Sequence, residues 1–451
     1  MSINRRNFIK GMAGAGVVAS LNQLGMMQAA AALTEDYRAL VCVFLFGGND
    51  GNNTIIPIDA TGYANYAAVR GSIALPQTTV VPLTPPAGSA AFGLHPSLAP
   101  LQAVWNAGAL TGVFNVGSLV APLTRAQYQN GSVPHPDSLF SHSDQQLQWQ
   151  TTVSKGVSRT GWAGRLADRQ TSINGASSVP LVISAAGSNV FATGNSTNPL
   201  AVPTSGTFGL SGFGTDAVSV ARMKALQDLQ TQAAQDTKVT KGIADLTSRA
   251  ITQSQLVNPV LTGASATVDP AFTGLTTSIA LQFKQVAKLI EARVALGVKR
   301  QVFFVSLGGF DTHANQTVVQ KAQLDQLAPA MKAFYDATVA LNVAQNVTTF
   351  TMADFARTLE ANSSGGTDHA WGNHHLVMGG SVKGGQLYGT FPTLTLGGPD
   401  DTDNRGRWIP TTSIEQYGGT LATWFGVAGN DLDYIFPNRN RFSTTPIGFL
   451  A

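Results

Sequence analysis

The stretch LVCVFLFGGNDGNN, residues 40–53, decides the fold. Its first seven residues form an unbroken apolar run with β-branched and aromatic side chains, which is typical of a strand buried on both faces of a parallel sheet. The run ends at two glycines and a polar turn. In open α/β sheets, ligands gather beyond the carboxyl ends of the strands. This stretch therefore predicts a buried strand followed by a functional loop.

Two later segments repeat the pattern. QVFFVSL, residues 301–307, follows a predicted helix over 279–294 and breaks at GGFDTH. VTTFTMADF, residues 347–355, follows a second helical pattern. Helix then strand, twice over, indicates βαβ units. We predict an α/β fold, a three-layer sandwich with a central, mostly parallel sheet, in a single domain over 33–451.

Two segments differ from this core. Residues 187–270 are rich in Ser, Thr, Ala, Gly and Gln, with a helical pattern near 218–256, and predict either an insertion or cap or an ordinary surface excursion. Near the C-terminus, Thr412-Ser413-Ile414-Glu415 predicts a capping box at the start of a helix.

The first 32 residues carry an export pattern. NRRNFIK, residues 4–10, precedes a short glycine-rich apolar run and an Ala-rich end, as in twin-arginine signals. We expect cleavage near Ala32, transit through the twin-arginine translocase and a periplasmic or secreted protein. Because a bilayer span needs about 20 apolar residues, no membrane anchor is expected.

Charge and cysteine content exclude other classes. The chain has 28 basic and 25 acidic residues, and the signal removes three basic residues and no acid. The remaining chain is formally neutral and lacks the basic footprint of a nucleic-acid binder, so no nucleic-acid partner is expected. The single cysteine, Cys42, rules out an intramolecular disulfide and lies in the apolar run, which indicates packing.

The polar residues of three clusters could bind a divalent ion. There is no P-loop, G-x-S-x-G elbow or cysteine cluster, which leaves carboxylate and imidazole ligands. Each cluster alone has a structural alternative, a turn or a helix cap. Together, at strand exits or glycine-bounded loops of one sheet, they favour a metal site. The clusters are Asp50 with Asn49, Asn52, Asn53 and Thr54; Asp311 with His313; and Asp368, His369, His374 and His375.

Two further histidines could reach the same site. His95, in FGLHPSL, either lines the pocket or packs before a helix-starting proline. His142, in SHSD, could be contributed by a loop. A catalytic triad within SHSD is not predicted, because triad members come from distant segments.

Longer motifs make a family resemblance visible. They are NRRNFIK, LFGGNDGNN, FGLHPSL, SLGGFDTHANQ, GGTDHAWGNHH and GRWIPTTSIEQYGGTLATWFG, in that order over nearly the whole chain. The sequence resembles a bacterial family of exported proteins known as domain of unknown function 1501, which is similar to the alkaline phosphatase and sulfatase superfamily. The resemblance implies an alkaline-phosphatase-like sandwich with one or two divalent ions, expected to be zinc, manganese, magnesium or calcium.

The resemblance also implies roles for individual ligands. A later strand should end in an aspartate and histidine pair, and two arrangements stay open. Either Asp354 takes the strand end and His369 is the final histidine, or Asp368 and His369 form the pair. The predicted metal ligands are Asp50, Asp311, His313, Asp354, Asp368, His369 and His375.

The resemblance implies a phosphate or sulfate ester as substrate. Thr54 is the hydroxyl nearest to Asp50, although a buried β-branched residue is its alternative reading; Asn52 is the second predicted catalytic residue. The predicted substrate-binding residues are Asn49, Asn53, His95 and His142. The predicted function is a metal-dependent ester hydrolase of the cell envelope. The alternatives are a catalytically degenerate binding protein with an envelope partner, or a metal-binding oxidase or chaperone-like protein.

Overall fold

The computed structural model describes residues 36–451 except 85, 211–212, 214–215, 234–236 and 444. The predicted export signal, residues 1–32, lies outside the described residues. Within the described part, none of the helices combines the length and apolar character that a membrane crossing requires.

The elements follow in chain order. The strands are β1 (Arg38–Leu45), β2 (Ile55–Pro57), β3 (Val81–Pro82), β4 (Phe92–Leu94), β5 (Leu110–Gly117), β6 (Val182–Ser184), β7 (Leu200–Ala201), β8 (Arg300–Leu307), β9 (Val347–Ala353), β10 (Asn373–Met378), β11 (Leu387–Tyr388) and β12 (Thr412–Ser413). The α-helices are α1 (Ala60–Arg70), α2 (Gln102–Asn106), α3 (Arg125–Asn130), α4 (His142–Thr151), α5 (Trp162–Arg169), α6 (Ala217–Ala233), α7 (Lys238–Thr262), α8 (Ser278–Glu291), α9 (Gln316–Ala340), α10 (Ile414–Phe425) and α11 (Gly429–Ile435). Short 3-10 turns span Gly51–Asn53, Gly71–Ile73, Gln77–Thr79, Pro96–Leu101, Asp269–Phe272, Ala344–Asn346 and Arg439–Arg441.

The main sheet has the strand order β11-β5-β10-β9-β1-β8-β6-β7, with β12 beside β5. β1 pairs in parallel with β8 and with β9. β10 runs antiparallel to both of its neighbours, β9 and β5. The predicted α/β fold with a central, mostly parallel sheet is therefore confirmed. A smaller sheet has the order β2-β4-β3.

Helices cover both faces of β1. Val41 and Val43 belong to a core cluster that they share with α8 and α9. Cys42 and Phe44 belong to a second cluster, shared with α5 and α10. Because successive side chains of a strand point to opposite faces, a strand covered on both sides is apolar throughout, as the sequence of β1 is. Cys42 is fully buried, as its position in the apolar run indicated.

The predicted helices differ from the observed ones at their ends. The helix predicted over 279–294 is α8, which ends at Glu291 and leaves Val294 36% exposed. The helical pattern near 218–256 corresponds to two helices, α6 and α7, and the second continues to Thr262.

The capping box at the start of α10 is shifted by one residue from the prediction. Ser413, rather than Thr412, is the N-cap, and its Oγ accepts a hydrogen bond from the backbone of Gln416 at 3.1 Å. The Oε1 atom of Gln416 accepts from the backbone of Ser413 at 3.0 Å. Thr412 is held in β12 by its pairing with β5, and Glu415 is left buried without the predicted capping role.

We predict that Glu415 makes stability depend on pH. Burial raises its pKa to about 7 from an ordinary value of 4.5, although Ser413, Asn438 and Arg441 oppose the shift. The folded chain binds this proton more tightly than the unfolded chain. The free energy of unfolding is therefore highest below pH 4.5, where the carboxyl is protonated in both states, and it falls as the pH rises through about 7. The loss amounts to about 3 kcal/mol.

Urea unfolding of the wild type and of Glu415→Gln at pH 4.5 and pH 8 measures this effect. In Glu415→Gln, the free energy of unfolding should not decrease between pH 4.5 and pH 8. In the control Glu291→Gln, at the end of α8, the decrease should remain. Equal pH dependence in Glu415→Gln and the wild type would show that the buried carboxyl does not titrate in this range.

Candidate functional site

Three parallel strands deliver their loops to one edge of the sheet. Leu45, the last residue of β1, is in register with Leu307 of β8 and with Ala353 of β9. The loop after β8 carries Asp311 and His313, and Asp354 follows β9 directly. The sequence predicted this convergence of strand exits.

Two glycines allow the loops to approach closely. Gly47 has φ 107°, and a Cβ atom there would lie 2.5 Å from the backbone nitrogen of Asp311. A Cβ on Gly366 would lie 2.1 Å from the carbonyl carbon of His313. The glycines of GGNDGNN and GGTDH are therefore required where the first and third loops contact the loop after β8.

Four side chains meet at this edge; we call His142, Asp311, His313 and His369 the histidine cluster. The Oδ1 atom of Asp311 lies 3.4 Å from the Nε2 atom of His142, 3.1 Å from that of His313 and 3.3 Å from that of His369. The Nε2 atoms of His313 and His369 are 2.9 Å apart. One ligand atom from each of His142, Asp311 and His369 fits within a group whose members lie no more than 4.8 Å apart, a spacing that could hold a metal ion.

The Nδ1 atom of every imidazole in the cluster already has a partner. It lies 2.6 Å from Oδ2 of Asp354 in His142 and 3.3 Å from Oδ1 of Asp368 in His313. In His369 it lies 2.6 Å from the carbonyl oxygen of Phe140. Because these partners accept hydrogen bonds, a neutral imidazole that carries its proton on Nδ1 would direct its Nε2 lone pair into the cluster. Metal-binding histidines are oriented in this way.

His142 has an unpaired ring nitrogen, and Phe140 has an unusual backbone conformation. The Nε2 atom of His142 is buried and makes no hydrogen bond with the described residues. Phe140 has φ 71°, a left-handed conformation that residues other than glycine seldom adopt. Unsatisfied groups and unusual backbone angles are concentrated at functional sites.

Arg357 sets the charge of the cluster. Burial opposes ionisation of Asp311, yet the hydrogen bond and charge of Arg357 lower its pKa to about 2. Arg357 is fully buried and also donates to the carbonyl oxygens of Gly47 at 2.6 Å, Gly48 at 3.1 Å and Thr367 at 3.2 Å. It thereby joins three loops and holds Asp311 as an anion.

The pKa values of His142 and His369 are shifted in opposite directions. The hydrogen bond to Asp354 raises the pKa of His142. Burial lowers the pKa of His369. For Asp368, burial opposes ionisation, but the hydrogen bonds from Asn362 and His313 lower its pKa. The cluster therefore combines an ionised carboxylate, Asp311, with at least one imidazole, His369, that favours the neutral, metal-binding form.

Asp354 and Asp368 lie behind the cluster rather than in it. Asp354 is fully buried and accepts from the backbone of Gly47 at 3.2 Å and from Gln146 at 2.7 Å, besides its contact with His142. Asp368 accepts from Arg405 at 2.8 Å. Because each of them contacts an imidazole of the cluster, the proposed site gives both residues an orienting role, and their prediction as metal ligands stays a prediction.

Asp50 is not part of the histidine cluster. It is fully buried in an ion pair with Arg70, and the side chain of Gln316 donates to the same carboxylate oxygen. Its other oxygen accepts from the backbone of Asn52 at 2.9 Å, which makes Asp50 the N-cap of the Gly51–Asn53 turn. Because its carboxylate is already neutralised, we leave Asp50 out of the proposed ligand set.

The hydroxyl and amides of the first loop face inward. The Oγ1 atom of Thr54 donates to the carbonyl oxygen of Asp50 at 2.7 Å and accepts from Asn49 at 2.8 Å. Asn52 donates to the carbonyl oxygen of Arg357 at 3.0 Å. All of these side chains are buried. Their predicted roles in catalysis and substrate binding are left out of the proposal below for this reason.

Asn53 and the remaining histidines also lie in packed surroundings. Asn53 accepts from Tyr66 at 2.7 Å. His95 caps the Pro96–Leu101 turn through the backbone of Ser97, and burial lowers its pKa to about 4. His375 lies in β10 with its ring centroid 4.7 Å from that of Trp149, and burial lowers its pKa to about 3. We leave these residues out as well.

Sequence reasoning missed two features of the site. Arg357 lies three residues beyond the strand-end Asp354, and an arginine at that place in ADFAR could have drawn attention as a partner for the acidic loops. Nothing in the sequence indicates that the carbonyl oxygen of Phe140 contacts His369. His142 was predicted at the site but as a substrate-binding residue, since nothing local marks it as a neighbour of Asp311.

The chain matches the model of one protein family. The model of a family described as "Protein of unknown function (DUF1501)" matches residues 37–401. No curated protein matches the chain.

Solved structures resemble the chain only distantly. The crystal structure of Ps i-CgsB has 10% identity and a TM-score of 0.36, covering 91% of this chain and 79% of that one. The PsFucS1 sulfatase from Pseudoalteromonas sp. has 6% identity and a TM-score of 0.32, covering 95% and 76%. At such low identity and TM-score, neither likeness carries a property over to this chain.

Proposed function

The chain belongs to the DUF1501 family, and from that premise we propose that it is a metal-dependent hydrolase of phosphate or sulfate esters. The proposed ligands are His142, Asp311, His313 and His369. The observation that carries the proposal is the convergence of three Nε2 atoms on one oxygen of Asp311, with every Nδ1 held by an acceptor. The proposed location is the cell envelope, after twin-arginine export.

The donor set favours a transition metal ion. Imidazole nitrogens suit zinc and its neighbours, whereas magnesium and calcium take oxygen ligands. Ligands about 2.1 Å from one ion lie roughly 3.0 to 3.4 Å from each other at right or tetrahedral angles. The three separations from Oδ1 of Asp311 to the Nε2 atoms, and the separation between the Nε2 atoms of His313 and His369, are 2.9 to 3.4 Å. Of the expected ions, zinc therefore fits best. When bound, such an ion polarises an ester oxygen and lowers the pKa of a water molecule.

The protein groups around the cluster have distinct tasks in this proposal. Asp354, Asp368 and the carbonyl of Phe140 orient the imidazoles, and Arg357 keeps Asp311 ionised. The side chains of Asp311 and His313 are 46% and 47% exposed, so a small anionic ester can approach from solvent. Since the hydroxyl of Thr54 is buried in the loop, the attacking group is a water molecule.

We also propose an alkaline-phosphatase-like fold in one domain over 33–451, with an insertion or cap around 187–270. The position of the cluster at the carboxyl edge of a mostly parallel sheet supports the first part. The second part is supported by α6 and α7, because both helices lie within residues 187–270 and add no strand to the main sheet.

A non-catalytic binding protein is the second candidate function. The ion pair between Asp50 and Arg70 favours it, because a protein cation neutralises an aspartate that the sequence predicted as a metal ligand. The burial of Thr54, the predicted nucleophile, also suits a member of an envelope assembly.

Hydrolysis assays distinguish the two functions. The exported protein, loaded with zinc, should hydrolyse aryl phosphate or aryl sulfate esters, lose that activity with a chelator and regain it with zinc. His369→Ala should be inactive under all these conditions. A fully loaded wild-type protein that hydrolyses neither class of ester would support the binding protein instead.

We predict that Asp354→Asn weakens metal binding by about 10 to 100-fold, the usual cost of losing an outer partner of a ligand. The asparagine side chain has one acceptor oxygen, whereas Asp354 accepts from Gly47 on one oxygen and from His142 and Gln146 on the other. One donor, or two if the asparagine oxygen faces Gly47, is therefore left without an acceptor. Competition with a chromogenic chelator measures the affinity. Asp144→Asn, in the same helix as His142, is the control; equal affinities in both variants would exclude an orienting role for Asp354.

A further inference from the structure

A cleft lies between helix α7 and the segments on either side of β6. Its volume is about 730 Å³, within the range of about 300 to 1,000 Å³ that small-molecule sites occupy. Its walls include the end of α5, parts of the segments 170–182 and 192–199, and α7. From α7, Leu246, Arg249 and Gln253 line the cleft, and their spacing of three and four residues places them on one side of the helix. One side of α7 therefore forms a wall of this cleft.

The buried and the exposed residues that line the cleft differ in chemistry. The buried ones are all apolar and at most 3% exposed; they are Ala167, Val179, Val182 and Ala192. Most of the others carry an amide, a hydroxyl or a guanidinium group. An apolar surface combined with a small number of polar groups is typical of a pocket that binds a small molecule.

Several polar side chains of the cleft are free to bind a ligand. Five of them make no hydrogen bond or ion pair with the part of the chain that the structure describes; they are Gln170, Thr171, Ser178, Asn198 and Arg249. Amide and hydroxyl groups both donate and accept hydrogen bonds. The cleft can therefore exchange several hydrogen bonds with a ligand that carries hydroxyl groups.

Arg249 sets the charge that the cleft prefers. Among the described residues that line the cleft, it is the one with an ionisable side chain, so no Asp or Glu of this lining competes for it. The nearest acid along α7, Asp245, pairs instead with Lys241 at 3.5 Å. A guanidinium group binds carboxylate, sulfate and phosphate groups through two parallel hydrogen bonds. The cleft is therefore suited to an anion.

We propose that this cleft binds an acidic sugar, a carbohydrate unit that carries a carboxylate, sulfate or phosphate group. Arg249 pairs with the acidic group. The side chains of Gln170, Thr171, Ser178 and Asn198 exchange hydrogen bonds with the sugar hydroxyls. The buried apolar residues of the lining contact the C–H groups of the sugar ring.

The cleft is separate from the histidine cluster. Asn174, which lines the cleft, accepts hydrogen bonds from the backbone nitrogens of Lys299 and Arg300 at 2.9 and 2.8 Å, where β8 begins. Asp311 follows the other end of that strand. The eight residues of β8 span about 23 Å. A sugar in the cleft therefore leaves the histidine cluster free, and its binding requires no metal ion.

Isothermal titration calorimetry of the exported protein tests the proposal. The ligands are glucuronate, glucose 6-sulfate and glucose 6-phosphate, with glucose as the neutral control. At least one acidic sugar should bind, and glucose should bind at least about 10-fold more weakly. Arg249→Gln should weaken binding of that acidic sugar by about 10 to 100-fold, because it removes the charged donor. Arg159→Gln, at an exposed arginine outside the lining, should bind it as the wild type does.

Two further variants distinguish the cleft from the histidine cluster. Ala250→Trp places a large ring in the cleft and should abolish binding, whereas His369→Ala should bind the acidic sugar normally. Wild-type affinity in Arg249→Gln would overturn the proposal, as would binding that is lost in His369→Ala. Equal affinities for glucose and the acidic sugars, or no binding of any of them at millimolar concentration, would also overturn it.

Discussion

The double variant Asp311→Ala/His369→Ala is expected to lose its bound metal entirely, where the wild type holds about one ion per chain. The reason is geometric: Asp311 contributes the oxygen that lies within 3.4 Å of all three Nε2 atoms, and His369 contributes the Nε2 atom closest to that of His313. Removing both leaves two imidazoles, His142 at the start of α4 and His313 in the loop after β8. The loss in affinity should exceed the roughly 10 to 100-fold effect of an outer-partner substitution.

Elemental analysis of protein purified without chelator measures this loss. His135→Ala/Asp336→Ala is a matched control, since His135 stacks on Tyr128 and Asp336 pairs with Lys332 on the surface of α9. The control should keep its metal. Stoichiometric metal in the Asp311→Ala/His369→Ala protein would place the ion elsewhere.

The second large effect concerns stability rather than metal. Asp50→Asn should lower the free energy of unfolding by about 3 to 5 kcal/mol, because it leaves the guanidinium of Arg70 buried without its counter-charge. Arg70 and Asp50 are both fully buried, so solvent screens neither charge. The carbonyl oxygens of Thr358 and Leu359 also accept from Arg70, at 3.0 and 3.1 Å, and would hold the unpaired cation in place.

The same variant separates a structural from a ligand role for Asp50. Chemical unfolding and elemental analysis on one preparation should give reduced stability and an unchanged metal content. If Asp50 were a ligand, as the sequence predicted, Asp50→Asn would reduce the metal content as well. Arg70→Met provides the complementary control, with lower stability and intact metal.

The strand exits were predictable because they rest on local patterns. An apolar run that ends in glycines marks a buried parallel strand, and parallel strands with matching lengths end at one edge. Asp311, His313 and His369 were predicted at this edge from those patterns and from the family resemblance, and the structure brings them together.

The partners of the polar residues were not predictable in the same way. Whether Asp50 meets a metal ion or Arg70 depends on a helix that folds back across 20 residues, and no local pattern specifies that contact. His142 reaches the cluster from α4 only because Asp354 and Phe355 lie against it. An imidazole such as that of His375 can bind a metal ion. The alternation of side chains along β10 and the contact with Trp149 instead direct His375 toward the core.

Anomalous diffraction from crystals of the zinc-loaded protein tests the central claim most directly. A single peak above the zinc edge is expected between the Nε2 atoms of His142, His313 and His369 and the Oδ1 atom of Asp311. A peak beside Asp50 or His375, or no peak at the histidine cluster in protein that contains stoichiometric zinc, would contradict the account.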